Sequence, residues 1–225
     1  QKALMTAAVR MPDREACSKQ LVDAMEKSSV PTKVALLETL GAVGGTTALK
    51  AVGENAKSKE ERLMDASTRL LGSWMTIDAA PVLLDLAKSI SSENYRNRAL
   101  KGYIRIARQF TMDEKERIGM SQKAFEACRK PDEMKLVLEV LKRYPNIETL
   151  KLALQAAQTA EIKGDAVSAA QAIGRNLVTR RRKSRSSSPK PVSILRNLKW
   201  PGRVTVAWAC YRGLGVLPWP GRPAQ

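Results

Sequence analysis

Five large apolar residues, Leu40, Leu71, Ile104, Leu141 and Ile173, recur at intervals of 31, 33, 37 and 32 residues. Nothing else in the chain constrains the fold as strongly. The segments KVALLETLGAVG, MDASTRLLGSWM, NRALKGYIRIAR, MKLVLEVLKRYP and AVSAAQAIGRNL superimpose on that column, and Ala35, Ala66 and Ala99 share a second one. Small residues in one column let a paired helix approach closely, and the large residue a turn later fills the space between neighbours. A unit of this length holds two helices. One such pair cannot bury its apolar faces without the next, which is the logic of an α-solenoid.

Apolar residues follow a helical period over residues 12–178, interrupted by Pro, Gly, Ser, Asn or Asp. The breaks predict ten helices, at about 13–27, 31–43, 46–57, 60–75, 77–90, 93–109, 112–129, 131–144, 146–160 and 165–177. No strand pattern competes with them. The expectation is an all-α fold, a solenoid of five helix pairs. Ser58 with Glu61 and Thr111 with Glu114 have capping-box spacing, and Asp165 after Gly164 is an N-cap candidate. Pro31 and Pro131 sit where a first helical turn tolerates a missing N–H. Gly41, Gly44 and Gly45 in LGAVGG read as a helix end and turn. With no preceding strand and no following Lys-Ser/Thr, they do not form a phosphate loop.

Charge divides the chain differently. Residues 1–178 carry 28 basic and all 22 acidic side chains, whereas residues 179–225 carry the other 11 basic side chains and no acid. The net charge of +17 therefore belongs mostly to the tail. A compositional boundary falls near Val178, giving an expected repeat domain at 12–178 and a basic Pro/Gly/Arg/Trp-rich tail at 179–225 expected to be disordered. Two readings of the tail stand. RRRKSRSSS with Trp200, Trp208 and Trp219 suits weak, non-specific binding of nucleic acid or another polyanion. The repeated WPGR at 200–203 and 219–222, and the lack of acids, suit an out-of-frame extension.

The repeat units resemble HEAT repeats, particularly the short bacterial form named after phycobilisome lyases, with Leu-Gly at 40–41 and 71–72 ahead of each turn. RALKGYIRIARQF at 98–110 and LVLEVLKRYP at 136–145 are similar to the HEAT-like modules of large exported bacterial proteins that carry a keto-disaccharide-hydrolase-type domain. The resemblance implies a right-handed solenoid and a bacterial scaffold, cytoplasmic, periplasmic or exported. Such a scaffold binds a protein partner, or positions a catalytic domain missing here, as an accessory domain of a sugar-processing hydrolase would. The chain, which opens on Gln1, reads as a fragment or processed product.

Within RALKGYIRIARQF, Arg98, Lys101, Arg105 and Arg108 line one side of a helix, and no acid in the stretch answers them. The column alignment sets Arg98 beside Lys135 and Arg105 beside Lys142. These six residues are the candidate anion- or partner-binding site, on a face the resemblance makes concave. An acidic protein segment, a carboxylated glycan or nucleic acid would suit it. A solvated face screened by Glu93, Glu133 and Glu139 is the simpler reading. Tyr95 and Tyr144 are candidates for the same groove, while Tyr103 and Trp74 read as core.

Catalytic chemistry is not expected. The chain has no histidine, which removes the commonest general base and the usual imidazole ligands. Cys17, Cys128 and Cys210 have no paired spacing, and the first two read as buried small side chains. Glu60, Glu61, Asp113, Glu114 and Glu116 fall in first helical turns, where the dipole favours them. No enzyme, cofactor or metal is expected. No apolar run is long enough to cross a membrane.

Overall fold

The computed structural model describes residues 2–185. Over these the chain is all helical, with no strand. The helices are α1 (Lys2–Arg10), α2 (Arg14–Glu26), α3 (Val30–Val43), α4 (Thr46–Asn55), α5 (Glu61–Gly72), α6 (Ala79–Ser89), α7 (Glu93–Gln109), α8 (Glu114–Ala127), α9 (Pro131–Arg143), α10 (Ile147–Ala156) and α11 (Lys163–Arg185), with a 3-10 turn at Ala160–Ile162. Ten correspond to the predicted helices. The eleventh, α1, was not expected. Its KALMTAAVR is rich in strong helix formers, and Ala8 packs it down by being almost wholly buried.

The helix ends correct several expected caps. Asp13 caps α2 by accepting from Ala16 N at 2.9 Å. Asn146 and Thr149 form a reciprocal capping box on α10, where no box was predicted. At Ser58 the hydroxyl accepts from Glu60 N at 3.1 Å, so it shapes the turn before α5 and does not cap Glu61. Asp113, not Thr111, is the N-cap of α8. Because α11 begins at Lys163, Asp165 falls inside its first turn. Pro31 and Pro131 do occupy first turns.

Two compact units divide at Val140/Leu141, inside the span read as a single repeat domain. Within residues 1–140, α1, α3, α5 and α7 pack successively on one another. Along the other side α2 meets α4, and α6 meets α8. Each substantial contact joins helices one or two apart in the chain. The column residues fill this core: Leu40 and Leu71 are wholly buried, and Ile104 nearly so. In the second unit, α10 and α11 pack together around Leu152, Ala153, Ala166, Ala170 and Ile173. Helix α11 continues to Arg185, seven residues past the compositional boundary near Val178, since Arg and Lys are good helix formers whatever their charge. The rest of the tail, with its tryptophans, lies outside the described residues.

Gly45 and Gly102 are imposed by geometry. Gly45, at φ 92°, turns α3 into α4, and a Cβ there would meet Glu15 Oε1 at 2.6 Å. That closeness lets the Glu15 carboxylate accept from Thr46 N at 2.7 Å and Thr47 N at 3.2 Å, capping α4 from a different helix. Gly102 lets α7 approach α5, since its Cβ would stand 3.0 Å from Gly72 Cα.

Candidate functional site

Helices α5 and α7 lie side by side and run in the same direction, because their contacts climb together. Glu61 accepts from the Tyr95 hydroxyl at 3.3 Å, Asp65 from Arg98 Nη1 at 2.8 Å, and the Gly72 carbonyl from Arg105 Nε at 2.9 Å. Between them opens a cleft of about 740 Å³. Its first end is lined by Glu61, Asp65, Asn94 and Tyr95, and its second by Arg69, Lys101 and Arg105. Eleven residues separate Glu61 from Gly72, which at the helical rise makes the cleft roughly 16 Å long. It is acidic at one end and basic at the other, and each charge also complements the nearby helix terminus.

The six predicted residues do not act as one patch. Arg98 turns back to α5, where Nη1 reaches Asp65 Oδ1, the Asp65 carbonyl at 3.1 Å and Thr68 Oγ1 at 3.0 Å, and its guanidinium lies 5.5 Å from the Tyr95 ring centroid. Arg105 caps the end of α5 through Gly72 O and, from Nη2 at 2.5 Å, Trp74 O. Burial lowers the Arg105 guanidinium from its ordinary pKa. Lys101 is exposed in the cleft and has no hydrogen bond or ion pair among the described residues. Arg108 is exposed but engaged. Lys135 pairs with Asp132 on its own helix at 3.3 Å, and Lys142, further along α9, is engaged as well. Asp65, one unit earlier in the column alignment, answers Arg98 in the stripe, while Glu133 serves elsewhere.

Glu133 is the partner of Arg96, a residue the sequence reading passed over. Arg96 is the largest wholly buried side chain described, and its guanidinium reaches Glu133 Oε1 and the Ala127 carbonyl. Burial alone would raise the Glu133 carboxyl. The N–H groups of Arg129 and Lys130, donating to Oε2, together with Arg96 hold it below its usual value. Around this corner Lys130 pairs with Glu93. Arg117 does for α7 what Arg105 does for α5, donating to the carbonyls of Ala107 and Phe110. Three arginines from neighbouring elements thus satisfy the orphan carbonyls of three helix ends.

Trp74 and Tyr103 are core, as expected. Tyr103 faces α6 and α8 instead of the cleft, and its hydroxyl is pushed up to about 12 by burial and then by Glu116 and Glu126. Tyr95 does line the cleft; burial, then Glu61 and Asp65, raise its hydroxyl. Cys17 is buried, and burial pushes the Cys128 thiol up to about 12, so it stays protonated at neutral pH. Among the described residues no cluster of three or more His, Cys, Asp or Glu side chains is placed to hold a metal ion, and no helix is long and apolar enough to cross a membrane.

The sequence reading missed Asp65, Arg69, Asn94 and Asn97 as cleft residues. The repeat columns carried the signal. Setting Ala66 on Ala99 places Asp65 on Arg98, and setting Leu40 on Leu71 places Glu38 on Arg69, a pair observed at 3.2 Å. Compared with protein-family models, curated proteins and solved structures, the chain matches none.

Proposed function

We propose that residues 12–178 form a non-catalytic interaction scaffold, a right-handed HEAT-like α-solenoid of five helix pairs belonging to a larger bacterial protein, with the α5/α7 cleft as its docking surface. Support for the solenoid comes from residues 1–140, where the substantial helix contacts join neighbours one or two apart, and from the burial of the repeat column. The observation that carries the docking surface is the cleft itself. It is open and polar, and within it the Lys101 ammonium and the Asn97 carbonyl oxygen have no partner.

Binding of a polyanion along the basic stripe is the weaker reading. Glu61 and Asp65 stand in the cleft, and the guanidinium groups of Arg98 and Arg105 are already committed. The test is site-specific photocross-linking of the full chain, with the photoreactive residue at Asn94 in the cleft or at Lys19, exposed on α2. Adducts from Asn94 that are absent from Lys19, and that disappear when Lys101 and Arg69 are both changed to Glu, are expected. Equal labelling from both positions would overturn the cleft as docking surface.

A further inference from the structure

The cleft's unpartnered groups and its charge polarity together specify what it would hold. Lys101 supplies a cation with no internal partner, flanked by Arg69 and Arg105. Arg69 is only partly occupied, its pair with Glu38 being 58% exposed on the arginine side. Asn97 Oδ1 is shut off from solvent and accepts no hydrogen bond. An oxygen closed to water is also closed to a docked chain, so Asn97 lines the cleft without offering that atom to it. Exposed Asn94 lies one turn earlier on the same helix and offers an amide with both donor and acceptor.

A nucleic acid does not fit this pattern. Its evenly spaced phosphates would pass Glu61 and Asp65, and the counterion release that drives such binding needs several uncommitted cations in a row. A single carboxylate fits better. It would sit at Lys101, clear of the acidic end's repulsion. Roughly 16 Å of cleft matches about five residues of extended peptide at about 3.3 Å each. Lining residues lie on both sides of Lys101, Asn94 and Asn97 towards one end and Gly72, Ser73 and Arg105 towards the other. A bound chain would therefore pass Lys101 and continue, so the carboxylate belongs to an internal acidic side chain and not to a chain terminus.

We infer that the α5/α7 cleft binds an extended peptide segment bearing an internal Asp or Glu, its carboxylate on Lys101 and a backbone amide on Asn94. This rests on the scaffold reading and narrows it. The experiment uses the full chain and fluorescence polarisation of two labelled, C-amidated hexapeptides differing only in a central Glu or Gln, with labelled oligo-dT as a polyanion control. Expected is about fivefold tighter binding of the Glu peptide, the effect of roughly 1 kcal/mol for one solvent-facing charge pair. Lys101→Gln should lower that ratio, and Asn94→Ala should weaken both peptides alike. The basic tail is the same in every variant, so any preference it adds for Glu persists in Lys101→Gln, and the cleft's share is the drop in the ratio from parent to Lys101→Gln. Helicity and melting of Lys101→Gln should match the parent, since Lys101 has no partner to lose.

No preference for Glu over Gln, or a preference undiminished by Lys101→Gln, would overturn the inference. So would oligo-dT binding that depends on Lys101, which would reassign the cleft to nucleic acid. If the peptides fail while cleft-specific cross-links from Asn94 persist, the scaffold reading stands and only the peptide chemistry falls.

Discussion

Arg96 and Arg98 sit two residues apart on α7 and each pairs with a carboxylate, yet they occupy different physical worlds. The Arg96–Glu133 pair is 0% and 4% exposed, whereas Arg98–Asp65 is 37% and 43% exposed. In the α7–α9 corner, water has been removed from two charges, so each depends on the other and on the backbone groups of Ala127, Arg129 and Lys130. In the cleft, solvent screens the pair, and losing one partner leaves a charge that water can accept. The same residue types therefore serve as a lock in one place and as an adjustable surface in the other.

The comparison breaks most sharply at the corner. Glu133→Ala should cost about 3–5 kcal/mol, because it leaves a buried guanidinium uncompensated. Replacing both partners, Arg96→Met with Glu133→Leu, should recover much of that loss. Denaturant unfolding followed by circular dichroism measures both, and a double variant as unstable as the single one would mean that packing, not charge, locks the corner.

Acid should reach another interhelical cap. The Glu15 carboxyl is held down at about 2, chiefly by the hydroxyl and N–H of Thr47 and the N–H of Thr46. A carboxyl depressed in the folded state contributes stability that is complete above its ordinary value of 4.5 and lost as pH falls towards 2. Glu133, also depressed, adds loss with the same sign. Melting temperature recorded from pH 6 down to pH 2 should fall less steeply in Glu15→Gln than in the parent. Parallel curves would remove Glu15 from the account.

Arg105→Ala should cost about 1–2 kcal/mol, since the carbonyls of Gly72 and Trp74 lose their donors. Arg105→Lys should recover only part of this, because an ammonium cannot reproduce the guanidinium fork. Asp65→Asn, at the exposed pair, should cost less than about 1 kcal/mol, and the difference should shrink further in molar salt. A larger or salt-independent effect would show that the cleft is built like the corner. Lys101→Gln should be smallest, within about 0.5 kcal/mol.

The repeat column, the helical period and the Pro and Gly breaks are local facts, and they placed ten helices within a few residues of where they lie. The same local logic failed at both ends. No helix is expected before residue 13, yet α1 forms there, and the charge change near Val178 does not end α11, which helix propensity carries on to Arg185. Within the candidate site, four aligned cations were legible, and so, through the repeat offset, were Asp65 and Glu38 as partners. What no spacing disclosed was which way each long side chain turns. Arg98 and Arg105 reach back to α5, Arg96 points into the corner, and Lys101 is left in the cleft. Helical periodicity gives a residue's direction from its own axis, but burial depends on what the neighbouring helix places opposite it. Desolvation, which decides whether a charge pair is a lock or a surface, is a property of the packed set of helices and of no single one.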